Sequence, residues 1–459
     1  MRLFTVAEVA SITNGRVKFR RRSELQKAVR RVWTDSRTCR SGDLFVALTG
    51  PRFDGHRFLG DARRKGAIAA LVQKGSSTLE GVPVVQVDDT LRAFQQLAAA
   101  HRRRFSIPVV AVSGSNGKTT TKEMIGRVLS ERFRTLVTAG NYNNHIGVPQ
   151  TLFQLTSRHE AAVIEMGISG LGEMSRLCEI AAPTHGVLTN IGPTHLATLG
   201  TMDTVARAKG ELLKSLPSGG TAVLNADDPF YRRLSSWVKG PVLSFGFSRG
   251  ATVRALRIQS KGPSSSTVFV RIARRTHGFN IRLHVAGRHN IENALASVAA
   301  GMALGVGVKR IQAGLARYRP SAMRSEVRCR RGVMILNDCY NANPASVRAA
   351  LDWLADIKGT GRSFAVLGEM RELGEREVEI HREVGRVVAT RADYLLTTGR
   401  LGSELAAGAL EEGMSRDHVV VAVAHEELAE RLRALLRKGD VVLLKGSRAA
   451  RMEQVLEKL

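Results

Sequence analysis

The chain has 459 residues, 43% hydrophobic and 24% charged, which is ordinary for a globular protein with a real core and suggests about three domains. Four scattered cysteines without a C-x-x-C argue against a zinc ribbon or a disulfide framework, and no apolar run reaches the ~20 residues of a membrane span, so no membrane insertion is expected. Lys and Arg number 69 against 41 Asp and Glu, a net charge of +28, and such a balance attracts polyanions.

Three readings of that charge compete: nucleic acid, a strongly anionic substrate, or an arginine-rich surface habit. Basic residues cluster at 16–31, 101–104 and 324–331. Aromatic content is 5%, with no aromatics interleaved in these clusters and no zinc-finger or RNP pattern, so no specific nucleic-acid partner is expected. The N-terminus lacks a basic region followed by an apolar one. No signal peptide and a cytoplasmic location are expected.

In chain order, residues 1–88 read as a first α/β unit: a helix over 5–12, a turn and strand over 42–48, a helix over 61–66, and strands at 69–72 and 84–87. Residues 89–320 form a central unit. It starts with a helix over 89–104 and then alternates strands (109–112, 162–165, 187–190, 222–225) with helices. That alternation predicts a mainly parallel sheet covered on both faces. From 242 to 285 the pattern is β-rich, and the apolar stretch 293–308 reads as a buried helix. Residues 321–459 form a third unit with strands at 333–337, 364–367, 394–397, 419–423 and 441–444, again a doubly wound α/β pattern. The expected fold class is therefore α/β in three domains. The central one is a mainly parallel sheet of the phosphate-loop type.

The strongest local signal lies in the central unit. A β-branched run leads into Ser113-Gly114-Ser115-Asn116-Gly117-Lys118-Thr119-Thr120, and a segment with helical spacing follows. Glycines let backbone N–H groups close around phosphate oxygens, and the helix start adds positive potential. Lys118 can reach the outer phosphates and the Thr119 hydroxyl can ligate Mg²⁺. The strict motif wants Gly at 112, where this chain has Val.

Other residues are ambiguous alone. Glu165 ends an apolar strand, as a metal ligand or as a solvated charge. His195 follows a strand end, where a histidine is more often a surface group than a ligand. Lys209 lies in a helical stretch, where a solvated lysine is the ordinary outcome. Asn143 and Asn144 sit in a turn-rich loop. Asp338, Tyr340, Asn341 and Asn343-Pro344 follow the first strand of the third unit, a place that suits a ligand contact or a turn equally.

Together these segments resemble the Mur ligase family of peptidoglycan synthesis. Gly114-Ser115-Asn116-Gly117-Lys118-Thr119 is similar to that family's own phosphate loop, which accounts for Val112. Asp35-Ser36-Arg37, Phe53-Asp54-Gly55-His56, Asn143-Asn144-His145-Ile146-Gly147, Gly287-Arg288-His289-Asn290, Asp338-Cys339-Tyr340-Asn341-Ala342-Asn343-Pro344, Gly368-Glu369-Met370-Arg371-Glu372-Leu373-Gly374 and Leu444-Lys445-Gly446-Ser447-Arg448 extend the likeness over nearly the whole chain. The resemblance implies an ATP- and Mg²⁺-dependent ligase, expected as a monomer. It would join D-alanyl-D-alanine to a UDP-N-acetylmuramoyl-tripeptide through an acyl phosphate. It also implies roles. Lys118, His195 and Lys209 would be catalytic, and Thr119, Glu165, His195 and a carbamoylated Lys209 would hold metal. Residues 113–120 with Asn290, Arg324 and Asp338 would bind the nucleotide. Ser36, Arg37, Asn143 and Asn144 would bind the UDP-muramoyl substrate. Two alternatives stand beside it: a basic nucleotide-binding interaction protein without ligation, and another amide ligase such as folylpolyglutamate synthase.

Overall fold

The computed structural model describes residues 2–51, 53–76, 81–260, 262–273 and 275–459. The chain forms two compact units. The first gathers residues up to Ala111 with Arg134–Gly167 and Glu173–Thr184; the second gathers Val112–Phe133, Ile168–Gly172 and His185–Leu459.

The first unit holds a five-stranded sheet in the order Arg16–Lys18, Val84–Val87, Ala69–Gln73, Asp43–Val46, Arg31–Trp33. Its first pair is antiparallel and the rest parallel. Parallel strands covered on both faces read as continuous apolar runs, and Asp43–Val46 and Val84–Val87 are buried throughout. Asp89 caps the helix Thr90–Arg102 by accepting from Arg92 N–H at 2.9 Å. That helix buries Ala93, Phe94, Leu97 and Ala98 on one face. The unit also contains Thr135–Val137 paired in parallel with Ala161–Glu165, next to the start of Val109–Ser113.

The carboxyl end of Val109–Ser113 belongs to the second unit. Beyond it stand His185–Leu188, Thr221–Asn225 and Val242–Gly246 in parallel, and then Val253–Ser260, Ser266–Ile272 and Phe279–Leu283, antiparallel to one another. A six-stranded sheet completes the unit, in the order Glu326–Arg330, Val333–Asn337, Val441–Lys445, Ser363–Gly368, Tyr394–Thr398, Val419–Ala422. All its pairs but the first are parallel. Separate apolar clusters cover its faces, one around Leu351, Trp353 and Leu354 and the other around Phe364, Leu428 and Leu432.

The architecture is thus α/β with mixed, mostly parallel sheets, as the alternation predicts. One boundary moves. The apolar stretch 293–308 is not one helix: the buried helix is Arg288–Ala303, and a turn with Gly305 at φ +69° separates it from Val308–Arg317.

Candidate functional site

The phosphate loop joins the strand Val109–Ser113 to the helix Lys118–Ser130. Two glycines set its path. Gly114 has φ +143° and Gly117 has φ +79°; a Cβ would stand 2.0 Å from Thr189 Oγ1 at the first and 2.3 Å from Asn293 Oδ1 at the second. Any side chain there forces the neighbour away and strains the backbone. The neighbouring strand end ties the loop down. Ser115 N–H donates to Asn190 O, and Asn116 N–H donates to Asn190 Oδ1, both at 2.9 Å. Ser115 Oγ donates to Gly192 O at 2.9 Å and accepts from Gly192 N–H at 2.8 Å. Ser113 and Thr119 are buried, and Thr120 lies near the Tyr318 phenol. Lys118 Nζ folds back onto the carbonyls of Gly114 and Ser115, at 2.8 and 3.1 Å. No side chain caps the helix start, the arrangement in which helix N-termini take up anions.

Two distant segments reach this loop. Asn343 caps the helix Pro344–Ile357 and donates Nδ2–H to Asn116 Oδ1 at 2.7 Å. His195 and Glu372 form the other approach. Both have positive φ, +55° and +65°, and His195 Nδ1 lies 2.6 Å from Glu372 Oε2. The imidazole, and then the Lys118 charge, hold the Glu372 carboxyl below the usual carboxylate range.

Lys209 departs from what its position in sequence suggests. It lies on the helix Met202–Lys214, yet it is 1% exposed. Its amine has no hydrogen-bond or ion-pair partner among the described residues. Burial first, and then the charge of Lys118, push its pKa well below the ordinary 10.5.

Asp338 sits beyond the carboxyl end of the strand Val333–Asn337, 2.5 Å from Lys445 Nζ, and accepts from Ser325 N–H at 2.9 Å. The Arg324 guanidinium lies over the Tyr340 ring at 3.7 Å. Asn290 is buried, its Nδ2–H donating to Ala286 O at 2.8 Å. In the first unit, Asn143 donates Nδ2–H to Glu165 Oε1 at 2.7 Å, and Glu165 is buried. Asn144 Oδ1 accepts from Ile146 and Gly147 N–H, so it also serves as a turn residue. Asp35 is paired with exposed Arg37 at 2.9 Å, beside buried Ser36.

Sequence reasoning had no role for Glu372 or Lys445, although both lie in quoted motifs. Asn293 passed unnoticed inside an apolar helix. Among the described residues, no three His, Cys, Asp or Glu side chains stand together as a metal cluster. A cation here would draw most of its oxygens from a bound polyphosphate, the usual way Mg²⁺ is held, so the donor set fits Mg²⁺ arriving with a nucleotide.

Fold and loop define an α/β protein built to hold a phosphorylated ligand. The chain belongs to the Mur ligase family: its models match as the Mur ligase family catalytic domain (28–102), the Mur ligase middle domain (112–301) and the Mur ligase glutamate ligase domain (323–448). The UDP-N-acetylmuramoyl-tripeptide–D-alanyl-D-alanine ligase of Bacillus subtilis (strain 168) is 36% identical over 437 residues, covering 95% of this chain and 94% of that one. A crystal structure of MurF from Acinetobacter baumannii aligns with TM-score 0.91 at 32% identity, over 99% of this chain and 98% of that one. The MurF ligase of Thermotoga maritima in complex with ADP aligns with TM-score 0.84 at 31% identity, over 94% and 97%.

Proposed function

We propose that the chain is an ATP-dependent ligase that joins D-alanyl-D-alanine to a UDP-N-acetylmuramoyl-tripeptide, in the cytoplasmic synthesis of peptidoglycan precursor. The observation that carries this is likeness to ligases of that name along nearly the whole chain, with a formed phosphate loop at the matching place. Three domains, 1–88, 89–320 and 321–459, would serve the UDP-muramoyl substrate, ATP, and nucleotide plus dipeptide.

In the proposed reaction a carboxylate oxygen of the tripeptide attacks the γ-phosphorus of ATP. The bond to the β–γ bridging oxygen breaks, and ADP leaves. The dipeptide amine then attacks the acyl carbon. Phosphate departs with the C–O electron pair, and the amine loses a proton. Phosphoryl transfer asks mainly for positioning and charge stabilisation. The loop amides and Lys118 would cradle the phosphates, with Lys118 leaving its carbonyl contacts for them. Asn290, Arg324 and Asp338 would bind the nucleotide. Ser36, Arg37, Asn143 and Asn144 would bind the UDP-muramoyl substrate. Mg²⁺ would neutralise phosphate charge, held by Thr119, His195 and a carbamate on Lys209. Glu165, in the other unit, is assigned to it by the resemblance alone. The carbamate reading is supported by a buried amine pushed towards its neutral form, the form that adds CO₂.

ADP release requiring both the UDP-muramoyl tripeptide and D-alanyl-D-alanine tests this reading. ADP release with folate and glutamate instead would replace it by the folylpolyglutamate alternative.

A further inference from the structure

The surplus charge is not spread along the chain. Residues 229–291 hold twelve Lys and Arg and no Asp or Glu, so 63 residues carry +12 of the +28. Much of this stretch forms the antiparallel strands Val253–Ser260, Ser266–Ile272 and Phe279–Leu283.

Alternation sorts their side chains onto two faces. Val268, Val270, Ile272, Ile281 and Leu283 are buried, and the helices Arg288–Ala303 and Val308–Arg317 pack against these strands. The other face carries four arginines. The register sets Arg254 directly across from Arg271, Arg257 across from Phe269, and Thr267 across from Arg282. Arg257, Arg271 and Arg282 are exposed and Arg254 is half-buried. None of the four has an ion-pair partner among the described residues; Arg254 donates Nε–H to Phe247 O at 2.9 Å. Like charges directly opposite across a sheet are unfavourable, and an anionic surface laid over them removes that cost.

One exposed aliphatic side chain stands at the edge of this face. Val242–Gly246 pairs only with Val253 and Arg254, and a bulge follows at Ala255/Arg257. Leu256, the extra residue of the bulge, is 42% exposed next to Arg257, whereas Ile258, 41% exposed, pairs with buried Val268 and so belongs to the opposite face. Phe269 and Phe279 are half-buried, so the face offers no exposed ring for stacking bases. Guanidinium groups beside the exposed Leu256 suit an anionic bilayer surface, where the cations meet headgroups and the aliphatic group enters the acyl boundary.

We propose that this face docks the protein peripherally onto an anionic phospholipid membrane. The proposal does not depend on the ligase reading.

The test is sedimentation of the full-length protein with phosphatidylcholine vesicles, with and without phosphatidylglycerol. Binding is expected only with phosphatidylglycerol, weakening as salt rises because exposed charges are screened. The triple variant Arg257→Gln/Arg271→Gln/Arg282→Gln should bind about a hundredfold more weakly, at about fivefold per cation near the surface. Leu256→Ser should also bind more weakly. Arg20→Gln/Arg21→Gln/Arg22→Gln, which removes equal charge from another exposed cluster, should keep most of the binding. An unchanged thermal melting curve certifies the fold of each variant. No binding by the parent protein, or equal loss in the Arg20–Arg22 variant, overturns the proposal. So does tighter binding of duplex DNA that the Arg257 triple variant abolishes, which would make this a nucleic-acid surface.

Discussion

Replacing Lys209 by methionine should separate stability from activity. The unfolded chain keeps the Lys209 proton up to about the ordinary 10.5, whereas burial and Lys118 make the folded chain release it at lower pH. Between those two values the unfolded state binds more protons, so this group makes stability fall as pH falls. The slope is about 1.4 kcal/mol per pH unit for one proton. Methionine has similar length and no charge, so Lys209→Met should remove this slope. It should be at least as stable as the parent at neutral pH, because no hydrogen bond or ion pair is lost. Turnover should nevertheless drop by about 10²–10³-fold, the scale of losing one electrostatic contact at a reacting phosphate. Denaturant unfolding of both proteins in CO₂-free buffer at several alkaline and neutral pH values measures the first part, and ADP release the second. A variant less stable than the parent, with the same pH slope, would refute the buried neutral amine. Rescue of Lys209→Ala activity by short-chain carboxylates, and not by amines, is the accompanying expectation for a carbamate.

Three further outcomes follow from the geometry. Lys118→Ala should lose about 10²–10³-fold in turnover with little change in the melting curve, since its amine bonds the Gly114 and Ser115 carbonyls of its own loop; near-normal activity would defeat the phosphate-loop reading. Gly117→Ala should cost about 1–3 kcal/mol in denaturant unfolding and lose thermal stabilisation by ADP, because the new Cβ meets Asn293 at a positive φ. Leu354→Ala, in the core beside Trp353, should cost about 2–5 kcal/mol; a much smaller loss would show that the cluster is loosely packed.

The parts of this protein legible in its sequence are the local ones. The phosphate loop could be read because glycine, lysine and threonine stand together between a strand and a helix. The alternation of strands and helices gave the fold class for the same reason. What stayed hidden depends on contacts made far along the chain. A lysine on a helix reads as solvated, and only packing around Met202–Lys214 buries Lys209. Asn343 reaches Asn116 across 227 positions, and Glu372 meets His195 from far along the chain, so neither pairing leaves a spacing signal. The end of the helix Arg288–Ala303 was masked by continuous apolar residues through 308, although Gly305 with its positive φ is the physical stop. The charge, which composition gives only as a total, acquires meaning once the register places Arg254 across from Arg271.

Ligation through an acyl phosphate leaves an isotope signature. The UDP-muramoyl tripeptide is prepared with ¹⁸O in its terminal carboxylate and turned over with ATP and D-alanyl-D-alanine. Each amide formed should deliver one ¹⁸O from that carboxylate to the released phosphate, read by mass spectrometry. Amide formation with unlabelled phosphate would contradict it.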